Sequence, residues 1–543
     1  MGRKKRDSAA AYTRYTQEDF NSLLEVGLTL SSEKDPQRIM DCILQKMLDI
    51  SEADGASIYL VEKVKTESGY EEKLRFNRMT NRHTKATATN RLLEINSASI
   101  AGYVALSGKT VKARDVYLLK EDSPFKFFKT FDEESNYRTK SVLAVPIRNA
   151  QGKTLGVLQL VNKLRAEFLG TNSRIKKPPE KSIIAFSEYD EKLLQGFASQ
   201  AAIAIDNSKL TRSINNLFES FVQASVTAIE ARDPSTSGHS GRVADLTVSL
   251  AQAIDQIQMG PFAKIAFNAI QYKELRYAAL LHDFGKIGVR ENILLKSKKL
   301  FPHELETIML RLQSLELKNE TQIWKHLVRE LTWLIQEGTP TDLNELIKET
   351  EQNVQRFNQK IHFMRENILQ ANEPQILSGD FNIEKLLTWL GRMSDQLGQT
   401  VLTYEESRRL SIGRGTLSSS ERKEIESHVS HTFTFLSQIA WTEDLEGIPH
   451  IAHCHHEKID GTGYPRGLKG DDIPIQARMM TICDIFDALT AMDRPYKKAV
   501  TSERAIDILY LEANEGKLDK ELLKVFVEAQ VFRISAQSTK KAA

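Results

Sequence analysis

A histidine beside an aspartate in Leu281 His282 Asp283 Phe284 Gly285 Lys286, and a histidine pair in His455 His456 Glu457 Lys458 Ile459 Asp460 Gly461 Thr462 Gly463 Tyr464 Pro465, constrain this chain more than any other feature. An adjacent His and Asp can serve two metal ions at once, because a carboxylate has two oxygens and can bridge while the imidazole fixes one side. Such a pair needs companions from elsewhere. The chain supplies them in order: His239 in Ser237 Gly238 His239 Ser240 Gly241 Arg242 Val243, then His428, then His455 and His456, then Asp484. Of the twelve histidines all but His83 lie from 239 to 456, which an even scatter would not produce. His303, His326, His362, His431, His450 and His453 have no role in this reading. Two cations about 3.5 to 4 Å apart are the arrangement that most assists phosphodiester hydrolysis, so the pattern points to a two-metal centre.

The ordered set resembles the HD-GYP family, metal-dependent hydrolases of cyclic dinucleotides, over residues 221 to about 515. The resemblance rests on Glu230 Ala231 Arg232 Asp233 Pro234 before the first histidine, His282 Asp283 with Lys286, and His428. It continues in the HHE and DGTGYP run and in Asp484 Ile485 Phe486 Asp487 Ala488 Leu489 Thr490 leading to Arg494 Pro495 Tyr496 Lys497. It implies that His239, His282, Asp283 and Asp484 bind one metal and that His428, His455 and His456 bind the second, with Asp283 bridging. It implies that Lys286, one turn along the same helix, stabilises charge on the scissile phosphate. Gly463, Tyr464 and Pro465 would shape the pocket mouth, and Arg494 and Lys497 would hold the other phosphate. The expected cofactors are two divalent ions, iron or manganese. Cyclic di-GMP is the first expected substrate and cyclic GMP-AMP the second. A nonhydrolysing receptor would not need the full ligand set with Lys286, and the DGTGYP run disfavours a housekeeping HD nucleotide hydrolase.

Three departures limit the transfer. Ser235 stands where some members carry a carboxylate for a third metal, so two are expected, and Thr432 replaces the usual Gly. Asp283 and His428 are 145 positions apart, far more than the family's usual spacing of about thirty residues. The additional segment, 301 to 415, is rich in Leu, Glu, Gln and Lys. Its apolar Ile323, Trp324, Leu327, Leu331, Leu334 and Ile335 fall at helical spacing, predicting inserted helices with this stripe as core. Gly413 Arg414 Gly415 closes it as a turn.

The N-terminal third reads differently. Gly55–Val61 and Ser141–Ile147 alternate like half-buried strands, and the turn Asn149 Ala150 Gln151 Gly152 Lys153 leads into Leu155–Val161 as a hairpin. Thr16 with Asp19 has capping-box character, and Asp35 Pro36 opens a second helix. With Ser99 Ile100 Ala101 Gly102 Tyr103 Val104 Ala105 and the spaced set Asn162, Lys163, Phe186, Asp190, Glu191, residues 17 to 208 resemble a GAF domain. That signature belongs to GAF domains similar to those binding cyclic nucleotides, where it braces the pocket; a cyclic nucleotide is thus a candidate GAF ligand, beside a purely dimerising role.

From 187 to 231 the helical period is nearly uninterrupted. A stripe of Leu194, Phe197, Ala201, Ile205, Leu210, Ile214 and Phe218 suits either parallel pairing with a second subunit or burial against its own domain. The expected fold class is α+β: a GAF domain with an antiparallel sheet flanked by helices, a long connecting helix, and an all-α HD-GYP domain with a helical insertion. A net charge of +2 gives no case for nucleic-acid binding, and no apolar run approaches the roughly 18 residues of a membrane helix. Cys42, Cys454 and Cys483 suit a reducing cytoplasm, the last two as buried thiols rather than ligands. A cytoplasmic homodimer is the expectation.

Overall fold

The computed structural model describes residues 36–66, 69–83, 91–168, 178–233, 237–338, 340, 342–374, 383–491 and 499–533. The chain divides into two compact units, Met1–Phe218 and Glu219–Ala543. In the first, helices α1 (Pro36–Ser51), α2 (Ile100–Ser107) and α3 (Thr130–Ser135) accompany strands β1 (Ala53–Thr66), β2 (Gly69–Asn81), β3 (Leu92–Leu93), β4 (Val111–Ala113), β5 (Val142–Arg148), β6 (Thr154–Leu164) and β7 (Ile183–Ile184). The strands form one antiparallel sheet in the order β3-β2-β1-β6-β5-β4, with β7 also paired to β6.

β1 is not half-buried as its alternation suggests. Its first nine residues are all buried, because the sheet is covered on both faces. Ala56, Ile58 and Leu60 join Ile43, Leu44 and Met47 of α1, while Tyr59 and Val61 join Ile100 and Val104 of α2. Alternation here sorts side chains between two cores. The predicted hairpin forms in register, Val145 opposite Leu158, and closes through Asn149 N–H donating to the Lys153 carbonyl at 3.0 Å. Gly152 sits there at φ 79°, a conformation that favours glycine. The predicted second helix does begin at Pro36; Thr16, Asp19 and Asp35 lie outside the described residues. Between the sheet and α2 is a cavity of about 130 Å³ lined by Tyr59, Phe76, Ile100, Phe127 and Phe131 among others.

Helix α4 (Glu188–Arg232) begins in the first unit and ends in the second. Of the two readings of its stripe, burial against its own domain holds for the N-terminal half. Leu194, Phe197, Ala201 and Ile205 pack into the core beneath the sheet, while Leu210 and Ile214 are exposed. Own-domain burial has claimed the first half of that stripe.

Among its described residues the second unit has helices and no strand: α5 (His239–Asp255), α6 (Ala269–Leu281), α7 (Glu291–Leu294), α8 (Pro302–Glu337), α9 (Leu343–Ala371), α10 (Ile383–Leu397), α11 (Tyr404–Leu410), α12 (Ser419–Glu426), α13 (His428–Leu436), α14 (Ile448–His453), α15 (Ile475–Thr490), α16 (Ser502–Asn514) and α17 (Lys520–Glu528), with loops and short 3-10 turns between. Helices α8 to α11 have a core of their own, built on Ile308, Leu312, Ile361, Met364, Ile368, Leu390 and Leu410. The stripe expected to be core in α8 is mostly not. Only Leu327 of it is buried, and Ile335 is 77% exposed, since the packed face of α8 is its first half. The segment leaves and rejoins the chain at one place: Thr416 Oγ1 donates to the Lys296 carbonyl at 3.2 Å, and the Lys296 ammonium lies 2.8 Å from Glu421. Among the described residues, no helix is long and apolar enough to cross a membrane.

Candidate metal centre

Every predicted ligand but Asp484 sits at or near the end of a helix. His239 is the first residue of α5, entered through Gly238 at φ 66°. Asn268 and Gln271 cap α6 reciprocally, and that helix ends at Leu281 with His282 as its cap and Asp283 just beyond. His428 opens α13, His455 and His456 follow α14, and Asp484 lies within α15. Three ligand groups result, each with its atoms within 4.8 Å of one another: His239, His282 and Asp484; His282, Asp283 and His455; and His428, His455 and His456.

The carboxylate of Asp283 divides the cluster. Its Oδ1 lies 3.2 Å from His428 Nε2, and its Oδ2 lies 3.4 Å from His282 Nε2 and 4.0 Å from His239 Nε2. Asp484 Oδ1 is 3.1 Å from His239 Nε2 and 3.9 Å from His282 Nε2. One oxygen of Asp283 therefore faces each histidine group.

Three imidazoles are oriented by one device. Nδ1 of His282, His428 and His455 donates to the carbonyl three residues earlier, of Ala279, Ile425 and Ala452, at 2.7, 2.6 and 2.6 Å. A carbonyl only accepts, so the proton is on Nδ1 and the lone pair is on Nε2. All three Nε2 atoms are buried and make no hydrogen bond within the protein. Buried acceptors without partners are costly, and a cation among them would satisfy all three. The donor set fits a divalent metal.

His239 is held differently. Its Nδ1 is 2.7 Å from Asp487 Oδ2, and Asp487 is itself gripped by Arg242 through Nε at 2.7 Å and Nη2 at 3.1 Å. Burial opposes charge on His239, but the carboxylates of Asp484 and Asp487 outweigh it and raise its pKa to about 9. Burial lowers His456 to about 4 and holds His455 well below the ordinary imidazole value. Burial also works against ionising Asp283, yet Lys286, His282 and His428 hold it well below the usual carboxylate range.

Lys286 is not on the same helix as His282. The α-helix stops at Leu281, and Lys286 lies in a 3-10 turn, Phe284–Gly288. Its ammonium still reaches the centre, 2.9 Å from Asp283 Oδ2 and 3.3 Å from Asp233 Oδ2. The turn is fixed from behind by Thr432, whose hydroxyl donates to the His282 carbonyl at 3.0 Å and accepts from Gly285 N–H at 2.8 Å. Thr432, the departure from the usual Gly, thus ties the turn to α13.

Tyr464 lays its ring 4.9 Å from that of His456, and Gly463 runs so close to the chain that a Cβ there would lie 2.3 Å from Lys458 N. Glu457, unassigned from sequence, accepts from the N–H groups of Arg466 at 2.7 Å and Leu468 at 2.9 Å and so pins the loop carrying Pro465. Asp487 and Glu457 are the supporting residues that sequence reasoning missed; the only signals were their places in the DIFDALT and HHE runs. Arg494, Lys497 and Ser235 lie outside the described residues.

In the first unit the five signature residues stand apart from the cavity lining. Lys163 pairs with Asp190 at 2.6 Å, Phe186 joins the core, and Glu191 meets Lys112 at 2.9 Å. Asn162, at φ 55°, donates to the Tyr137 hydroxyl and the Arg138 carbonyl, each at 2.9 Å.

Comparison with known proteins agrees with this division. A GAF-domain family model matches residues 35–205, and two HD-domain models match 236–348 and 405–522. A 3'3'-cGAMP-specific phosphodiesterase 3 of Vibrio cholerae is 39% identical over 95 residues, 18% of this chain and 20% of that protein. The cyclic di-GMP phosphodiesterase response regulator RpfG of Xanthomonas campestris is 50% identical over 68 residues, 12% and 17% of the two chains. A cyclic di-GMP phosphodiesterase of Thermotoga maritima is 30% identical over 159 residues, 26% and 42%. The match thus spans about a fifth of the first two relatives and less than half of the third.

Proposed function

Carrying a GAF domain followed by an HD domain, this chain is, we propose, a metal-dependent phosphodiesterase of the HD-GYP type that opens a cyclic dinucleotide to its linear form or to mononucleotides. The observation that supports it most is Asp283, whose two oxygens face two separate histidine groups, as a bridging ligand must. His239, His282, Asp283 and Asp484 would hold one divalent ion, and His428, His455, His456 and Asp283 a second, with iron or manganese suited to the mixed donors. When bound, such ions supply Lewis-acid stabilisation of the phosphoryl oxygens and make water easier to ionise.

The chain's own residues do the rest. Lys286 places a fixed positive charge beside Asp283, where negative charge grows on the scissile phosphate. Tyr464, with Gly463 and Pro465 beside it, walls the site over His456, and Arg494 and Lys497 are the residues assigned to the second phosphate, a guanidinium and an ammonium suiting an anionic ligand. Cyclic di-GMP is the first substrate of this reading; cyclic GMP-AMP is the second, since one of the relatives is specific for 3'3'-cGAMP. The GAF domain is the regulatory module, a cyclic nucleotide is the first effector to try in its cavity, and the protein acts as a homodimer. The three free thiols suit the cytoplasm.

The test is to purify the protein anaerobically, load it with iron or manganese, and follow cyclic di-GMP and cyclic GMP-AMP separately by chromatography beside Asp283→Ala. Turnover lost in the variant is expected. Tight binding without product from a metal-replete sample would make the protein a receptor instead.

A further inference from the structure

Helix α8 has two apolar faces, and its own unit uses one of them. At 3.6 residues per turn the predicted stripe divides: Ile323, Leu327 and Leu334 share the face of the core residues Ile308 and Leu312, whereas Trp324, Leu331 and Ile335 fall on the opposite one. That opposite face runs the length of the helix. Leu310, Leu317, Val328 and Ile335 on it are 59, 58, 61 and 77% exposed, with Trp324 and Leu331 half-buried between them. The pattern is an unbroken heptad: Leu310, Leu317, Trp324 and Leu331 repeat every seven residues at d, and Ser314, Thr321, Val328 and Ile335 each follow four later at a. A helix in water does not keep such a row bare without a partner.

The charges beside the seam say what the partner is. Glu320 stands at g and Lys325 at the following e, and neither makes an ion pair among the described residues. In a parallel, in-register pair of identical helices, g of one chain meets e of the other five residues on. Glu320 and Lys325 would then pair twice across the two-fold. An antiparallel pair centred on the seam would instead set Lys318 against Lys325 at both edges, like charges facing.

We propose that residues 310 to 335 of α8 form a parallel, in-register, two-stranded coiled coil with a second copy of this chain. It rests on the homodimeric reading above and places a contact between the copies in the inserted segment. At about 1.5 Å per residue the seam is roughly 38 Å long. The segment that separates Asp283 from His428 in sequence thereby acquires a task, joining two copies without contributing to either ligand cluster.

The test uses the full chain with Cys42→Ser, carrying Leu317→Cys at d or, as control, His326→Cys at f, a side chain 81% exposed on the far side of the helix. Sedimentation of the reduced proteins runs alongside. In a parallel pair the d side chains face each other closely enough to bridge, so Leu317→Cys should cross-link under mild oxidation at least about tenfold faster than His326→Cys. Adding Glu320→Lys or Lys325→Glu to Leu317→Cys should slow that reaction about threefold or more, and mixing the two charge variants should restore it, since opposite charges then meet. A dimer in which positions 317 and 326 cross-link alike would overturn the seam and leave the homodimer standing. Charge variants that react as their parent does, or preferential cross-linking of mixed Leu317→Cys and Val328→Cys chains, would overturn the parallel register. A monomer at all concentrations would remove both the seam and the homodimer.

Discussion

Asp487 Oδ2 lies 2.7 Å from Nδ1 of His239, so this imidazole is oriented by a carboxylate where His282, His428 and His455 are oriented by backbone carbonyls. A carboxylate behind a ligand raises its basicity as well as aiming it. Asp487→Asn keeps the shape and removes the charge. Metal affinity or turnover should fall by about 10- to 100-fold. Metal content and rate measured together check this; a variant with wild-type values for both would show that Asp487 serves Arg242 alone.

Proton release on metal binding should differ between the two halves of the centre. In the metal-free protein His239, raised to about 9, is an imidazolium at neutral pH and must lose its proton to become a ligand. His455, held well below its ordinary value, and His456, at about 4, are already neutral there. Affinity for the His239 side should weaken as pH falls from 9 toward 7. Calorimetric titration of apoprotein in buffers of different ionisation enthalpy reads the released proton, and His239→Gln should abolish it. The same shift has a stability sign: the ion pair's contribution to the apoprotein is complete below the unfolded imidazole pKa and is lost as pH rises through about 9.

Two glycine-to-alanine changes should act in opposite directions. A Cβ on Gly285 would lie 1.9 Å from the His428 carbonyl oxygen and 2.4 Å from Thr432 N, both backbone atoms that cannot swing aside. Gly285→Ala should cost about 3 kcal/mol or more, read as a drop in the denaturant midpoint. Gly391 is exposed within α10 with nothing within 4 Å, so Gly391→Ala should gain about 1 kcal/mol from helix propensity.

Thiol labelling should find one reactive cysteine in the native chain. Burial pushes Cys454 up to about 11 and Cys483 up to about 12, and both side chains are enclosed, whereas Cys42 is partly exposed. At pH 8 a disulfide reagent should modify Cys42 alone, and all three thiols only after denaturation. Rapid modification of Cys483 in the folded protein would contradict the packing of α15.

The candidate ligand cluster was legible in the sequence because metal chemistry restricts residue type to imidazoles and carboxylates, and the structure brings the predicted ones together. What positions them was not. Asp487, one turn after Asp484, reads as any helical acid, and Thr432 reads as a substitution until its hydroxyl is seen holding both His282 and Gly285. The sheet was half legible. β1, β5 and β6 announce themselves by apolar alternation, whereas β2, Gly69–Asn81, is rich in charges and its outer half is exposed. On α4 two apolar stripes overlap, and sequence alone cannot say that Leu194 and Phe197 are taken by the sheet while Leu210 and Leu217 are left bare. That choice is made by tertiary packing.

The long helical segment between Asp283 and His428 departs and returns where Lys296 meets Thr416 and Glu421. Among the described residues, the polar ties between this segment and the rest of the unit gather at that neck, where Arg409 also lies 3.6 Å from Glu421. Mutation can lengthen, shorten or resurface α8 to α11 over generations while the histidines keep their places, so the two parts of this unit are free to change at different speeds.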